Sequence, residues 1–144
     1  MLYWASDTPG HGGSIYTLPL IGTGDPKQLT SSDLDNDPAW SPDASQIAFR
    51  RKVFDGTPNG NNNVFVMNAD GSGVRGVAKT KADDIKPLWS PDGKDLLIAS
   101  NRKSDFGGPG KTYDLWVTRV SDGEVLGNLG LKAKSMTRGF WTLR

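Results

Sequence analysis

The segment PAWSPDA at Pro38–Ala44 recurs as PLWSPDG at Pro87–Gly93, 49 residues further along the chain. In both copies a Pro stands two positions before a Trp, and a Ser-Pro-Asp turn follows the Trp directly. Proline fixes its own φ, and Asp or Gly suits a tight reversal, so each copy is predicted to end one strand and begin the next. A repeat period in the forties is typical of stacked units of one kind.

The match between the two copies continues after the turn. The matching segments are Ile47–Phe49 with Leu96–Ile98, Val64–Met67 with Leu115–Thr118, and the Asp-Gly pairs Asp70–Gly71 and Asp122–Gly123. Each repeat is therefore predicted to hold four short strands, the first ending at the Trp and the fourth ending near Leu29, Val77 or Leu129. Long polar loops are predicted between strands two and three, over Arg51–Asn63 and Asn101–Thr112.

A third copy is split between the two ends of the chain. Leu2–Ser6 matches the second-strand segment, Ile15–Leu18 matches the third, and Gly139–Trp141 matches the Pro-x-Trp position. The predicted repeats are 1–37 plus 138–144, 38–86 and 87–137, within a single domain. Four strands per repeat, with no sustained helical period, predict an all-β protein: a β-propeller with three four-stranded blades per chain.

The Trp-Ser-Pro-Asp-Gly turn at Trp89–Gly93, the Pro before the Trp and the trailing Asp-Gly hairpin resemble the WD-like repeats of the TolB-like β-propeller family. Similar repeats occur in tricorn protease and in the propellers of prolyl oligopeptidase relatives, so the resemblance specifies the type of blade better than the function. It implies a six-bladed ring whose last strand completes the first blade, and a periplasmic or extracellular location.

Three blades are too few to close a ring, because propellers have about four to eight. Strand edges and sheet faces left bare at the two ends favour association with another chain. We expect a homodimer that closes a six-bladed ring, with Thr137–Leu143 of each chain beside Leu2–Ser6 of the other. The alternative is that the chain is the C-terminal half of a longer propeller.

The composition excludes several classes of function. Lys+Arg 17 against Asp+Glu 16 gives a net charge of +1, which argues against a nucleic-acid partner. The absence of cysteine excludes disulfides and thiolate chemistry, and the single histidine, His11, excludes a multi-histidine metal site within one chain. The residues Met1–Asp7 lack the basic and long apolar regions of a signal sequence, and no apolar run is long enough for a membrane span, so neither a signal sequence nor membrane insertion is predicted.

The candidate binding surface is the face that carries the loops between strands two and three. In an up-and-down blade this face also receives the linkers that enter strand one. The candidate binding residues are His11, Asp33, Asp35, Asp37, Arg51, Lys52, Phe54, Asp83, Asp84, Arg102, Lys103, Phe106 and Arg138. The alternative interpretation is that these side chains form a solvated rim.

Two motifs could hold small ligands. Asp33, Asp35 and Asp37 alternate along the chain, a spacing that can surround calcium with oxygen ligands. The pattern departs from a calcium loop at Pro38 and Ala44, so turn formation is the alternative and no cofactor is predicted. The tryptophans of the repeat, Trp40, Trp89 and Trp141, could stack on sugars, but recurrence at one place in every repeat favours packing between blades.

The sequence holds no recognisable catalytic constellation, because His11 has no matching nucleophile and the Gly-x-Ser-x-Gly elbow is absent. The resulting hypothesis is a non-enzymatic propeller that binds a protein or peptide through its loop-bearing face or channel mouth. Two alternatives remain: a glycan or small-ligand module that uses calcium, and the accessory propeller of a larger hydrolase or peptidase.

Overall fold

The structure is a computed structural model that describes residues 2–5, 13–19, 21, 24–56, 59–102 and 112–134. Within these ranges the chain forms eleven strands in three antiparallel sheets. The all-β prediction is thereby confirmed for the described part of the chain. No helix in it is long and apolar enough to cross a membrane.

Each sheet is built from strands that follow one another in the chain. The first sheet contains β1 (Leu2–Ala5), β2 (Ser14–Thr17) and β3 (Lys27–Gln28). The second sheet contains β4 (Asp35–Trp40), β5 (Gln46–Val53), β6 (Asn61–Asn68) and β7 (Arg75–Ala78). The third sheet contains β8 (Asp84–Trp89), β9 (Asp95–Ser100), β10 (Thr112–Arg119) and β11 (Val125–Lys134). Strands β4 and β8 are therefore edge strands of their sheets.

The predicted loop over Arg51–Asn63 is wrong in its bounds. Strands β5 and β6 pair without interruption from Gln46 opposite Asn68 to Val53 opposite Asn61, so Arg51 and Lys52 lie on a strand. The polar residues in this stretch favour a loop locally, but the strand ladder and the partners of their side chains outweigh that local preference.

Hydrogen bonds inside the Ser-Pro-Asp turns explain why the repeat sequence folds as it does. The Ser41 hydroxyl donates to the Asp43 carboxylate at 2.6 Å and accepts from the Gln46 amide at 2.9 Å. The second turn has the same arrangement: the Ser90 hydroxyl donates to the Asp92 carboxylate at 2.7 Å and accepts from the Asp95 amide at 3.0 Å. Because the turn satisfies its own polar groups, it forms the same hairpin in both sheets.

The core between the second and third sheets contains the tryptophan of the repeat. Trp89 is buried in a cluster with Val64, Val66, Leu96 and other apolar residues of both sheets. Its indole Nε1 also donates to the Ala39 carbonyl of the second sheet, at 3.0 Å. A buried aromatic side chain with its polar atom satisfied both fills the interface and orients the two sheets.

Trp40 packs between the first and second sheets, as Trp89 does between the second and third. It is partly buried against a cluster of Ile15 from the first sheet with Ile47, Phe49 and Met67 from the second. The prediction that Trp40 and Trp89 pack between sheets is confirmed. Trp141 lies outside the described residues.

The Asp-Gly hairpins bring each sheet against its predecessor. A Cβ atom on Gly71 would lie 2.9 Å from the Leu29 carbonyl oxygen, and one on Gly123 would lie 2.5 Å from the Val77 carbonyl oxygen. Both glycines also have positive φ. Only glycine permits this approach of backbone to backbone, so the Asp-Gly signal serves sheet stacking as well as the hairpin.

Exchanging the residues at the fourth position of the two turns should shift stability in opposite directions. Ala44 has φ 57° and its counterpart Gly93 has φ 71°, and an added Cβ on Gly93 would meet only Pro42, at 3.7 Å. After allowance for the larger unfolded-state entropy of glycine, Ala44→Gly should stabilise the fold by about 0.5–1 kcal/mol and Gly93→Ala should destabilise it by a similar amount. Urea unfolding measures the free energy of unfolding of both variants. A change of the same sign in the two would contradict the explanation from backbone conformation.

The turn aspartates should make the fold sensitive to acid. The Ser41 hydroxyl and then the Ser45 amide and hydroxyl lower the pKa of Asp43 from 3.8 to about 2, and the Ser90 hydroxyl lowers the pKa of Asp92 in the same way. A carboxylate whose pKa is lower in the folded state stabilises the fold above its unfolded pKa. That contribution is lost as the pH falls through the folded pKa.

We therefore expect the melting temperature to fall between about pH 4 and pH 2, and to fall less steeply in Asp43→Asn/Asp92→Asn. Hydrogen bonding also lowers the pKa of Asp70 and Asp122, so the slope should not vanish in that variant. Thermal melts followed by circular dichroism measure the slope. Identical slopes in the two proteins would overturn the assignment.

Candidate functional site

The antiparallel order brings most of the predicted site residues to one end of the sheets. The start of β4, the end of β5 and the start of β6 lie together, and β8 to β10 repeat this arrangement in the third sheet. We call this end the loop face. The opposite end, which carries the Ser-Pro-Asp turns and the Asp-Gly hairpins, is the turn face.

A buried ion pair holds the loop face of the second sheet. Arg51 donates from Nε and Nη2 to the two carboxylate oxygens of Asp35, at 2.6 and 2.8 Å, and Asp35 is fully buried. The Arg51 guanidinium also stacks over the Phe49 and Phe65 rings, 5.2 and 5.4 Å from their centroids. The Asp35 carboxylate raises the pKa of the Arg51 guanidinium, and the two-point contact suits the planar shape of both groups.

The third sheet contains a second buried pair. Arg102 donates from Nη2 to Asp84 Oδ1 at 2.9 Å, and the Thr80 hydroxyl donates to Asp84 Oδ2 at 2.6 Å. In the second sheet Arg51 stands opposite Asp35 in the strand ladder, but in the third sheet the residue opposite Asp84 is Ser100. The arginine that pairs with Asp84 is therefore Arg102, two positions after Ser100 in the chain. Its guanidinium lies 4.6 Å from the centroid of the Trp116 ring. Asp35, Arg51, Asp84 and Arg102 thus hold the loop face together.

A second group of charges lies on the first strands and the strand beside them. Asp37 in β4 forms ion pairs with Lys86 of β8 and with Arg50 of β5, the latter at 3.2 Å between Nε and Oδ2. We call Asp37, Arg50 and Lys86 the inner-strand cluster. Of these three residues only Asp37 is among the candidate binding residues predicted from the sequence, although Lys86 stands three residues before Trp89 as Asp37 does before Trp40.

An aromatic side chain projects from the loop after β5. Phe54 is 66% exposed, and Lys52 Nζ lies 5.4 Å from the centroid of its ring. An exposed aromatic group beside a cation, on a loop held by a rigid sheet, is a common anchor for a binding partner. This pair is the most accessible apolar feature that the structure describes on the loop face.

The remaining predicted carboxylates have separate partners. Asp33 Oδ1 accepts from the Ser14 hydroxyl at 3.2 Å, and Asp83 Oδ1 accepts from the Asn62 amide and side chain at 3.1 and 2.9 Å. Asp33, Asp35 and Asp37 therefore engage a hydroxyl, an arginine, and an arginine with a lysine, respectively. Among the described residues no group of three acidic or histidine side chains could hold a metal ion.

Four predicted site residues cannot be placed. His11, Lys103, Phe106 and Arg138 lie outside the described residues.

Grooves on the described surface include the following two. One, of about 480 Å³, is lined by Gln28–Ser32, Arg51 and Val74, between the first and second sheets. The other, of about 580 Å³, lies on the turn face and includes Arg75, Lys94 and Arg119 in its wall.

Removing one member of a buried pair should cost much more than removing an exposed one. Arg51→Met leaves the Asp35 carboxylate buried without its cation, and we expect a loss of about 2–4 kcal/mol, below the full cost of a buried pair because Arg51 is partly exposed. Arg119→Met, which breaks exposed pairs with Asp122 and Glu124, should cost much less, because solvent screens those pairs.

Urea unfolding provides the measurement. Asp35→Asn/Arg51→Met should recover part of the stability lost in Arg51→Met, because it removes the uncompensated charge. Equal losses for Arg51→Met and Arg119→Met would contradict the structural role of the pair.

No protein-family model matches the chain. It is similar to the uncharacterized peptidase YuxL of Bacillus subtilis strain 168, with 34% identity over 62 residues, which is 43% of this chain and 9% of that protein.

Solved structures match over most of the chain. TolB from Acinetobacter baumannii matches with a TM-score of 0.59 and 21% identity, over 81% of this chain and 26% of that one. The β-propeller domain of the Trilobed protease from Pyrococcus furiosus matches with a TM-score of 0.59 and 17% identity, over 97% of this chain and 40% of that one. The acylaminoacyl peptidase of Pyrococcus horikoshii matches with a TM-score of 0.56 and 20% identity, over 89% of this chain and 21% of that one.

The chain spans less than half the length of each of these proteins. At these identities the structural matches establish the fold alone, and they agree with the resemblance seen in the repeats. The chain therefore has the fold of a TolB-like β-propeller.

Proposed function

We propose that this β-propeller unit binds a protein or peptide partner through its loop face. The observation that carries the proposal is Phe54, which is exposed beside Lys52 directly after strand β5, three residues beyond Arg51 of the buried pair. Aromatic side chains, phenylalanine among them, are enriched at protein interfaces relative to the rest of the surface. A rigid base limits the entropy lost when such a loop binds.

A photo-crosslinking amino acid at position 54 tests this proposal. The control is the same group at position 43, in an exposed turn on the opposite face. In extracts of the source cells, position 54 should yield a discrete crosslinked protein or peptide and position 43 should not. Crosslinking of the same species from both positions, or from position 43 only, would refute binding at the loop face.

We also propose that a second copy of the chain covers the free face of the third sheet. In the second sheet Ala48 and Val66 are fully buried against the third. Their counterparts in the third sheet, Leu97 and Val117, are only partly buried, and Leu88, the counterpart of Ala39, is 46% exposed. A sheet face built for packing that remains open is a site for association.

Light scattering should then give twice the mass of one chain. Leu88→Asp should restore a single-chain mass, because it places a charge in the proposed interface. The matched control is Phe54→Asp, which alters another exposed apolar residue and should leave the assembly intact. A single-chain mass for the unaltered protein would disprove the dimer.

A second candidate function is favoured by the comparisons. Two of the solved structures and the curated relative are named as proteases or peptidases, and the chain covers a small part of each. The chain would then be part of the accessory propeller of such an enzyme, and the rest of the same polypeptide would cover the third sheet. An immunoblot of source cells with antibodies to this chain separates the two: a band far larger than the chain supports the accessory propeller, and a band of its own size supports the dimer.

The location follows from the resemblance of the repeats alone. We place the protein in the periplasm or outside the cell, as for the TolB-like repeats, and fractionation of the source cells would test it.

A further inference from the structure

The first strands of the second and third sheets carry matching bulges. The ladder between β4 and β5 shifts register between Asn36 and Ala39, and that between β8 and β9 shifts between Ile85 and Leu88. Asp37 and Lys86 lie within these bulges, with φ values of 52° and 54°. A bulge in an edge strand redirects the side chain it carries.

The backbone at Lys86 suits its residue less well than the backbone at Asp37 does, because aspartate tolerates left-handed φ better than lysine. Left-handed φ suits glycine and is uncommon for lysine, and each of the two residues is followed by a proline, Pro38 or Pro87. Strained positions of this kind are concentrated at ligand-binding sites, where the side chain matters more than the backbone cost. The side chain of Lys86 is therefore the feature to explain.

The charges around Asp37 do not balance. Arg50 and Lys86 supply two positive charges against the single carboxylate of Asp37. The neighbouring cations Arg51 and Arg102 are committed to the buried Asp35 and Asp84. The inner-strand cluster therefore carries one unit of excess positive charge, and the Lys86 side chain is 43% exposed.

We propose that the inner-strand cluster binds a carboxylate of an acidic peptide ligand, with Lys86 and Arg50 as its cationic partners. A lysine ammonium has three donors, of which Asp37 takes one, so an incoming carboxylate can share it. Asp37 holds the two cations in place and competes with the ligand for them. This inference rests on the proposed function, since it names the chemistry of the protein or peptide partner.

Calorimetric titration with short peptides tests the proposal. The probes are hexaglutamate and hexaglutamine, each acetylated and amidated, and hexaglutamine with a free C-terminal carboxylate. Tighter binding of hexaglutamate than of blocked hexaglutamine would show recognition of acidic side chains. Tighter binding of the free-ended hexaglutamine would show recognition of a chain terminus, and equal or no binding of all three would overturn the proposal.

Two substitutions in the cluster should act in opposite directions. Lys86→Gln should weaken binding of the preferred peptide about tenfold, as expected for the loss of one charge-assisted hydrogen bond. Asp37→Asn should strengthen it, because the competing carboxylate is removed. The matched control is Lys94→Gln on the turn face, a lysine whose side chain is 78% exposed, which should leave binding unchanged. An unchanged affinity in Lys86→Gln, or a weaker one in Asp37→Asn, would contradict the assignment.

A third substitution separates binding from folding. Lys86→Gly relieves the left-handed strain, so it should lose affinity for the peptide while the melting temperature holds or rises. A fall in both would show that Lys86 is needed for the fold instead. If crosslinking at position 54 captures a partner but no acidic peptide binds, the carboxylate site fails and the proposed function stands.

Discussion

Two buried carboxylates, Asp35 and Asp84, are the constraint on which the loop face depends. Each is fully buried at the start of a first strand, where an unpaired charge would be strongly destabilising. Arg51 and Arg102 supply the compensating charges from the strand beside them or from just beyond its end. The first strand, the second strand and the base of the loop that follows are thereby fixed to one another.

The stacking of the sheets complements these pairs. Trp89 reaches from the third sheet to the Ala39 carbonyl of the second, and Gly123 allows its hairpin to approach the Val77 backbone. Packing of apolar faces sets the distance between the sheets, and these two contacts set their relative position. As a result Lys86 and Asp37, on adjacent edge strands, come within reach of each other.

The comparisons and the geometry bear on function in different ways. Proteins with this fold include TolB and the propellers of peptidases. The fold therefore does not distinguish a propeller that binds a partner from one that is the accessory domain of an enzyme. In either setting the sheets provide a rigid base for two sets of exposed groups, Phe54 and Lys52 on the loop face and Lys86 in the inner-strand cluster. In the proposals above, the class of ligand is inferred from the chemistry of those groups and not from the fold.

The sequence alone determined the repeat, the order of the strands and the packing role of Trp40 and Trp89. These features are local, because the Ser-Pro-Asp turn satisfies its own hydrogen bonds and the Trp recurs at one place in each unit. Only the tertiary structure decided which carboxylate meets which cation. Because Ser100 stands opposite Asp84, the arginine that pairs with Asp84 is Arg102, two positions later in the chain. Lys86 of the third sheet pairs with Asp37 of the second. Such pairs depend on register and on sheet stacking, which no local pattern of residues encodes.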